Sequence, residues 1–188
     1  MKQIYFKLTL LSDIVLQKSA NTQGKNQSRD CISGAVFLGI AARHYEEFAK
    51  PFDIFHSGAV RFGLAKPFIN GKIAYKTPLC FFAPKNATQK DSGFGALFCD
   101  LGSEVLQEKQ LKQIRNGYIN ENLQKADLAT NYTQKVNLHA KDNDGNNAMF
   151  GYEAITKGAE FGFCVRFENS VAQNDIDKIT QILQGLHF

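Results

Sequence analysis

Three cations, Lys18, Lys25 and Arg29, precede a run of small and apolar residues that opens at Ser33-Gly34. The polar stretch that carries them, with Asn21, Gly24 and Asn26, reads as a loop, and the run after Ser33 reads as a helix. A loop feeding a helix aims backbone N–H groups and the positive end of the helix dipole at whatever lies in front. The chemistry implied is grip on an anion, with the Ser33 and Gly34 amides as donors and the cations adding to the field. The same residues also fit a surface loop followed by a core helix whose first turn Ser33 caps. Asp30, three residues before that cap, fits as a partner of the helix dipole.

A second group pairs aromatics with cations. Tyr5 and Lys7 lie two residues apart on one side of an alternating segment, the combination a single-stranded RNA uses for stacking and phosphate contact; a solvated sheet face would look the same. Between residues 55 and 85, Arg61, Lys66, Lys72, Lys76 and Lys85 are interleaved with Phe62, Phe68, Tyr75, Phe81 and Phe82. That mixture suits RNA, although strands are rich in aromatics in any case.

Other chemistries lack their residues. Cys31, Cys80, Cys99 and Cys164 include no C-x-x-C pair, which argues against a zinc site and for buried reduced thiols. Asp142-Asn143-Asp144-Gly145 begins like a calcium loop but lacks its later acidic ligands, so it reads as a turn. Gly93-Phe94-Gly95 has no Gly-rich continuation and is no dinucleotide fingerprint. No Ser/His/Asp grouping, H-E-x-x-H or P-loop is present.

The elements that must position these residues follow from periodicity. Ile4, Phe6, Leu8 and Leu10 alternate with polar neighbours, predicting a half-buried strand over 3–11. A helix is expected over 33–48, with Val36, Phe37, Ile40 and Ala41 on its apolar side, Gly39 close to a sheet, Arg43 and His44 in its polar half, and Pro51 as its stop. Extended segments follow to residue 85, with Asn70-Gly71 as a hairpin turn and Pro67 at an edge or irregular position. Residues 86–132 read as an insertion carrying a helix from about Ser103 to Arg115. A strand with a basic face spans 135–141. Met149–Ile155 and Phe161–Phe167 are expected to form a hairpin about Lys157-Gly158. A last helix, capped by Asn174 and carrying Ile176, Ile179, Ile182 and Leu183 on one side, ends at Gly185.

With 188 residues the chain fits one domain and can bury roughly 70% of its unfolded surface, so it needs no staples. No apolar run approaches the ~20 residues of a membrane span, and the start, interrupted by Lys7, does not read as a signal peptide, so a cytoplasmic location with no membrane partner is expected. The net charge of +4 is compatible with a nucleic-acid groove without requiring one.

Two regions carry a family resemblance. The order "Ser-Ala, polar Gly-containing loop, Asp, Ile32-Ser33-Gly34-Ala35, apolar helix" resembles the entry to the first helix of the RAMP superfamily, the RNA-binding proteins of CRISPR systems, with Ser33 where the usual pattern has proline. The order "basic strand, Asp/Gly turn, Phe150-Gly151-Tyr152-Glu153-Ala154-Ile155, turn, Phe161" is similar to the central hairpin of RAMP subunits in type III effector complexes. The resemblance implies an α+β, ferredoxin-like (RRM-like) domain, one domain over 1–188 with 86–132 inserted. The Gly-rich loop and final strand are expected to be absent, because the sequence stops at Gly185-Leu186-His187-Phe188, as a fragment or as a naturally shortened member; in both cases a sheet edge is left that another chain could cover. It implies a crRNA-binding structural subunit in antiviral defence, partnered by other effector-complex subunits. Lys18, Lys25, Arg29, Ser33, Gly34 and Arg43 would contact the RNA, and no cofactor would be needed. Backbone subunits of this kind also cut target RNA with a metal-assisted Asp before the first helix. Asp30 stands in that loop, so an Mg2+-dependent endoribonuclease is the alternative. Processing members place a His near the first helix, where His44 lies. A third reading is a protein-assembly module whose cations are only solvated surface.

Overall fold

In the computed structural model, residues 1–18, 24–84, 110–115, 117–123, 125–126, 130–141 and 147–185 are described, with only the backbone given for 24–25, 84, 125–126, 130–141 and 147–150. The chain divides into two units, 1–68 with 129–188, and 69–128. The second is therefore wider than the expected insertion at 86–132.

Alternation of apolar and polar residues builds the first unit's main sheet. β1 (Lys2–Thr9) pairs antiparallel with β13 (Glu160–Phe167) in unbroken register from Lys2↔Phe167 to Thr9↔Glu160. On the other side of β13 lie β3 (Val60–Phe62) and β4 (Lys66–Ile69), with Arg61 opposite Arg166 and Lys66 opposite Gly162. Phe161, Phe163, Val165 and Phe167 are all buried on one face of β13, each such side chain stabilising the fold by about 1.5–3 kcal/mol. Phe163 stacks between Phe6 of β1, at 5.0 Å, and Phe37, at 3.8 Å.

Phe37 belongs to α1 (Gly34–Ala42), whose start is fixed by a close approach. A Cβ on Gly34 would lie 2.1 Å from the Phe62 carbonyl oxygen, so only glycine fits against β3. Gly39, expected to serve that purpose, is exposed with nothing near it. The helix also stops at Ala42 rather than running to Phe48. Pro51 does not end it but begins a second helix, α2 (Pro51–Phe55), because the missing proline N–H is no loss in a first turn. The last helix, α3 (Gln173–Gln184), has Ala172 at its N-cap position with no side-chain cap, two residues ahead of the expected Asn174. It buries Ile176, Ile179 and Leu183 and ends at Gly185 as expected. α1 and α3 touch each other on the apolar side of the sheet.

A second sheet in this unit joins β11 (Thr130–Lys141) antiparallel to β12 (Asn147–Ile155), with β2 (Gly24–Asn26) parallel on the far side of β12. β12 and β13 do not form the expected hairpin. The chain turns at Gly158, φ 86°, and changes sheet, because the residues after β1 take up the pairing: Ile14 N–H donates to Ile155 O and Leu10 N–H to Ala159 O. Asp142–Gly145 and Gly93–Gly95 lie outside the described residues.

In the second unit Asn70 (φ 50°) and Gly71 (φ 81°) make the expected turn, which leads into β5 (Lys72–Ile73). β6 (Tyr75–Lys76) pairs with β9 (Tyr118–Ile119), and β9 with β10 (Lys125–Ala126). β7 (Phe82–Pro84) pairs with β8 (Leu111–Gln113). The expected helix therefore does not reach Arg115: Leu111–Gln113 is strand, and Ile114 N–H donates to Phe81 O at 3.0 Å. Cys80 is exposed, and Cys31 and Cys164 are half-buried, so none of these three is a fully buried thiol as expected.

Candidate nucleic-acid interface

Of the predicted anion loop, residues 17–18 and 24–30 form two legs that bond to each other, and residues 19–23 lie outside the described residues. Gln17 bridges Ser28, Lys18 N–H donates to Gln27 O, and Ser28 N–H donates to the Glu153 carboxylate at 3.2 Å, tying the excursion to β12. Lys18 and Arg29 are exposed on opposite legs, and the Arg29 Nε donates to Gln17 O at 3.1 Å. Lys25 lies in β2 opposite Gly151. Ser33 accepts from Ala35 N–H at 3.3 Å and is thereby the α1 cap. Gly34 sets the contact with β3, which brings the Phe62 and Gly63 carbonyls against the first turn. Both residues thus have structural work at this spot. Asp30 is exposed just before Ile32, which pairs with Ala65. Among the described residues no three His, Cys, Asp or Glu side chains gather as a metal set.

Arg43 is separated from Ser33 by the length of α1, nine residues or about 13 Å. It borders a cavity of about 420 Å³ with His44, Glu47 and Lys178. His44 Nδ1 lies 2.7 Å and Lys178 Nζ 2.9 Å from the Glu47 carboxylate. The His44 hydrogen bond first, then that of Lys178, holds the Glu47 carboxyl below its ordinary range. His44 is engaged in this ion cluster at the far end of the helix from the loop.

The helix-free face of the main sheet gathers what the loop does not. Register places the outward residues in three cross-strand rows: Lys7, Gly162 and Lys66; Tyr5 and Cys164; Gln3, Arg166 and Arg61. Neighbours within a row are about 5 Å apart and successive rows about 7 Å. Tyr5 is 67% exposed. Lys7 Nζ lies 2.6 Å from Glu160 and 5.2 Å from the Phe68 ring centroid. Arg61 pairs with Glu168 at 3.0 Å, whereas exposed Arg166 stands directly opposite Arg61, a like-charge pairing that a sheet ordinarily avoids. The sequence held a signal for Arg166, since alternation within Glu160–Phe167 turns it away from the four apolar residues. Its neighbour across the sheet emerges only from the β3 register.

No helix among the described residues is long and apolar enough to cross a membrane. No protein-family model matches the chain, and the search of curated proteins returns no match.

Proposed function

We propose that this chain binds single-stranded RNA on the helix-free face of its main sheet, as a crRNA-holding structural subunit of RAMP type in a cytoplasmic type III effector complex of antiviral defence. The observation that carries the RNA reading is the opposed pair Arg61 and Arg166 beside exposed Tyr5. A phosphate between the two guanidinium groups relieves their repulsion, and a base stacks on the adjacent phenol ring. The order β1-β13-β3/β4, with α1 and α3 on one side, supports a ferredoxin-like plan, in which the strand after the first helix lies outside the third. The RAMP assignment rests on the Ile32–Ala35 and Phe150–Ile155 motifs.

Binding of a fluorescent oligouridine to Tyr5→Ala and Tyr5→Phe tests the site. Loss of stacking is expected to cost about 1–3 kcal/mol in the alanine variant, with phenylalanine retaining most affinity. Equal affinity for all three proteins would remove the sheet face as the interface. Sequencing RNA that co-purifies from the native host tests the finer reading: a common repeat-derived 5′ end is expected, and RNA without one would leave an RNA-binding protein outside CRISPR.

A further inference from the structure

β1 is the outermost strand of the main sheet among the described residues. Two hydrogen bonds fix which of its backbone groups face outward. Leu10 N–H donates to Ala159 O, and Gly63 N–H donates to Cys164 O, so Cys164 turns its carbonyl away from β1 toward β3. Tyr5, directly opposite Cys164, is therefore not bonded to it, and by the two-residue period Gln3, Tyr5, Lys7 and Thr9 direct their N–H and C=O groups at the open edge.

The apolar side of the same edge is incompletely covered. Ile4 and Phe6 are half-buried, whereas Phe163 and Val165, in the same layer one strand inward, are 4% and 0% exposed. The space left beside Phe6 and Leu8 is a cavity of about 320 Å³ that also touches Phe163 and Leu183 of α3. The strand carries Lys2 and Lys7 and no acidic residue. A second copy pairing edge to edge would bring Lys2 and Lys7 of each β1 to the seam with no acidic β1 residue to meet them; an acidic segment complements them, taking over Lys7 from Glu160.

We propose that the β1 edge accepts an extended segment of a partner protein, with apolar residues opposite Ile4, Phe6 and Leu8 and acidic residues on the alternate positions facing Tyr5 and Lys7. Main-chain bonds to Gln3, Tyr5, Lys7 and Thr9 supply affinity, and the cavity selects for one bulky apolar side chain. The edge shares Tyr5 and Lys7 with the proposed RNA face, but the outward backbone groups and the cavity that carry it do not depend on the RNA reading.

The test is a heteronuclear NMR titration of the full chain with an acetylated, amidated eight-residue peptide of alternating glutamate and valine with one central leucine. Shift changes centred on residues 3–9 are expected, with amide exchange at Tyr5 and Lys7 slowed about tenfold. A peptide with lysine in place of glutamate should not bind. Thr9→Pro removes an N–H that points at the edge, outside the β1–β13 ladder, and should abolish the response. Gln3→Pro serves the same purpose if Thr9→Pro does not fold. No response up to about 1 mM peptide, an equal response in the proline variant, or concentration-dependent changes at the same amides without peptide would each overturn the proposal, the last by showing self-pairing.

Discussion

Two glycines in α1 carry opposite meanings that the sequence does not separate. Gly34 sits where a Cβ would lie 2.1 Å from a backbone oxygen of β3, and backbone cannot swing aside as a long side chain does. Gly34→Ala is expected to lower stability by about 3 kcal/mol, the upper range for forced overpacking. Gly39, with nothing within 4 Å, loses only its backbone entropy penalty on substitution. Gly39→Ala should therefore stabilise by about 0.5–1 kcal/mol. Urea unfolding of the two variants checks both signs on one helix, and similar effects would mean that α1 does not lie against β3 as described. Glu47 offers a pH test at the same scale. Its folded pKa is lowered, so its ion cluster stabilises the protein above the unfolded value and that contribution is lost as pH falls through the folded value. The loss should begin below about pH 4.3, and Glu47→Gln should flatten that part of the acid stability curve.

At the scale of elements, what was legible in the sequence is what one face of one element decides. β1 and β13 were readable because their alternation is complete, and α3 because Ile176, Ile179 and Leu183 recur on one side. Choices between partners were not. Residues 149–155 and 161–167 are both strands about a short turn, but Leu10 and Ile14 compete for the pairing and send the chain into another sheet. Leu111–Gln113 has no helical or strand signature of its own, and its state follows from β7 beside it. The candidate site divides the same way. Tyr5 and Lys7 could be placed on one face from spacing alone, while Arg61 and Arg166 needed a strand register to become a pair. The loop cations, prominent in the sequence, sit on two legs where the Lys18 and Arg29 N–H groups donate across to Gln27 O and Leu16 O, and Ser28 N–H donates to Glu153.

For the whole molecule, the net charge of +4 would attract RNA weakly and without a preferred location, so bulk attraction must be separated from a site. The salt dependence of binding does this. For a single strand, each phosphate neutralised contributes about −0.7 to the slope of log K against log salt. The sheet face offers Lys7, Lys66, Arg61 and Arg166, so a slope of about −3 is expected if all four engage. Glu160 and Glu168 must then release Lys7 and Arg61, which costs little because surface ion pairs are worth about 0–1 kcal/mol. Replacing Arg61 and Arg166 together by glutamine should reduce the slope by about 1.4. The control replaces Lys18 and Arg29, which remove the same formal charge from the excursion and should leave the slope nearly unchanged. If the excursion variant loses the slope and the sheet variant keeps it, the RNA lies along the loop before α1 and the sheet face is solvated surface.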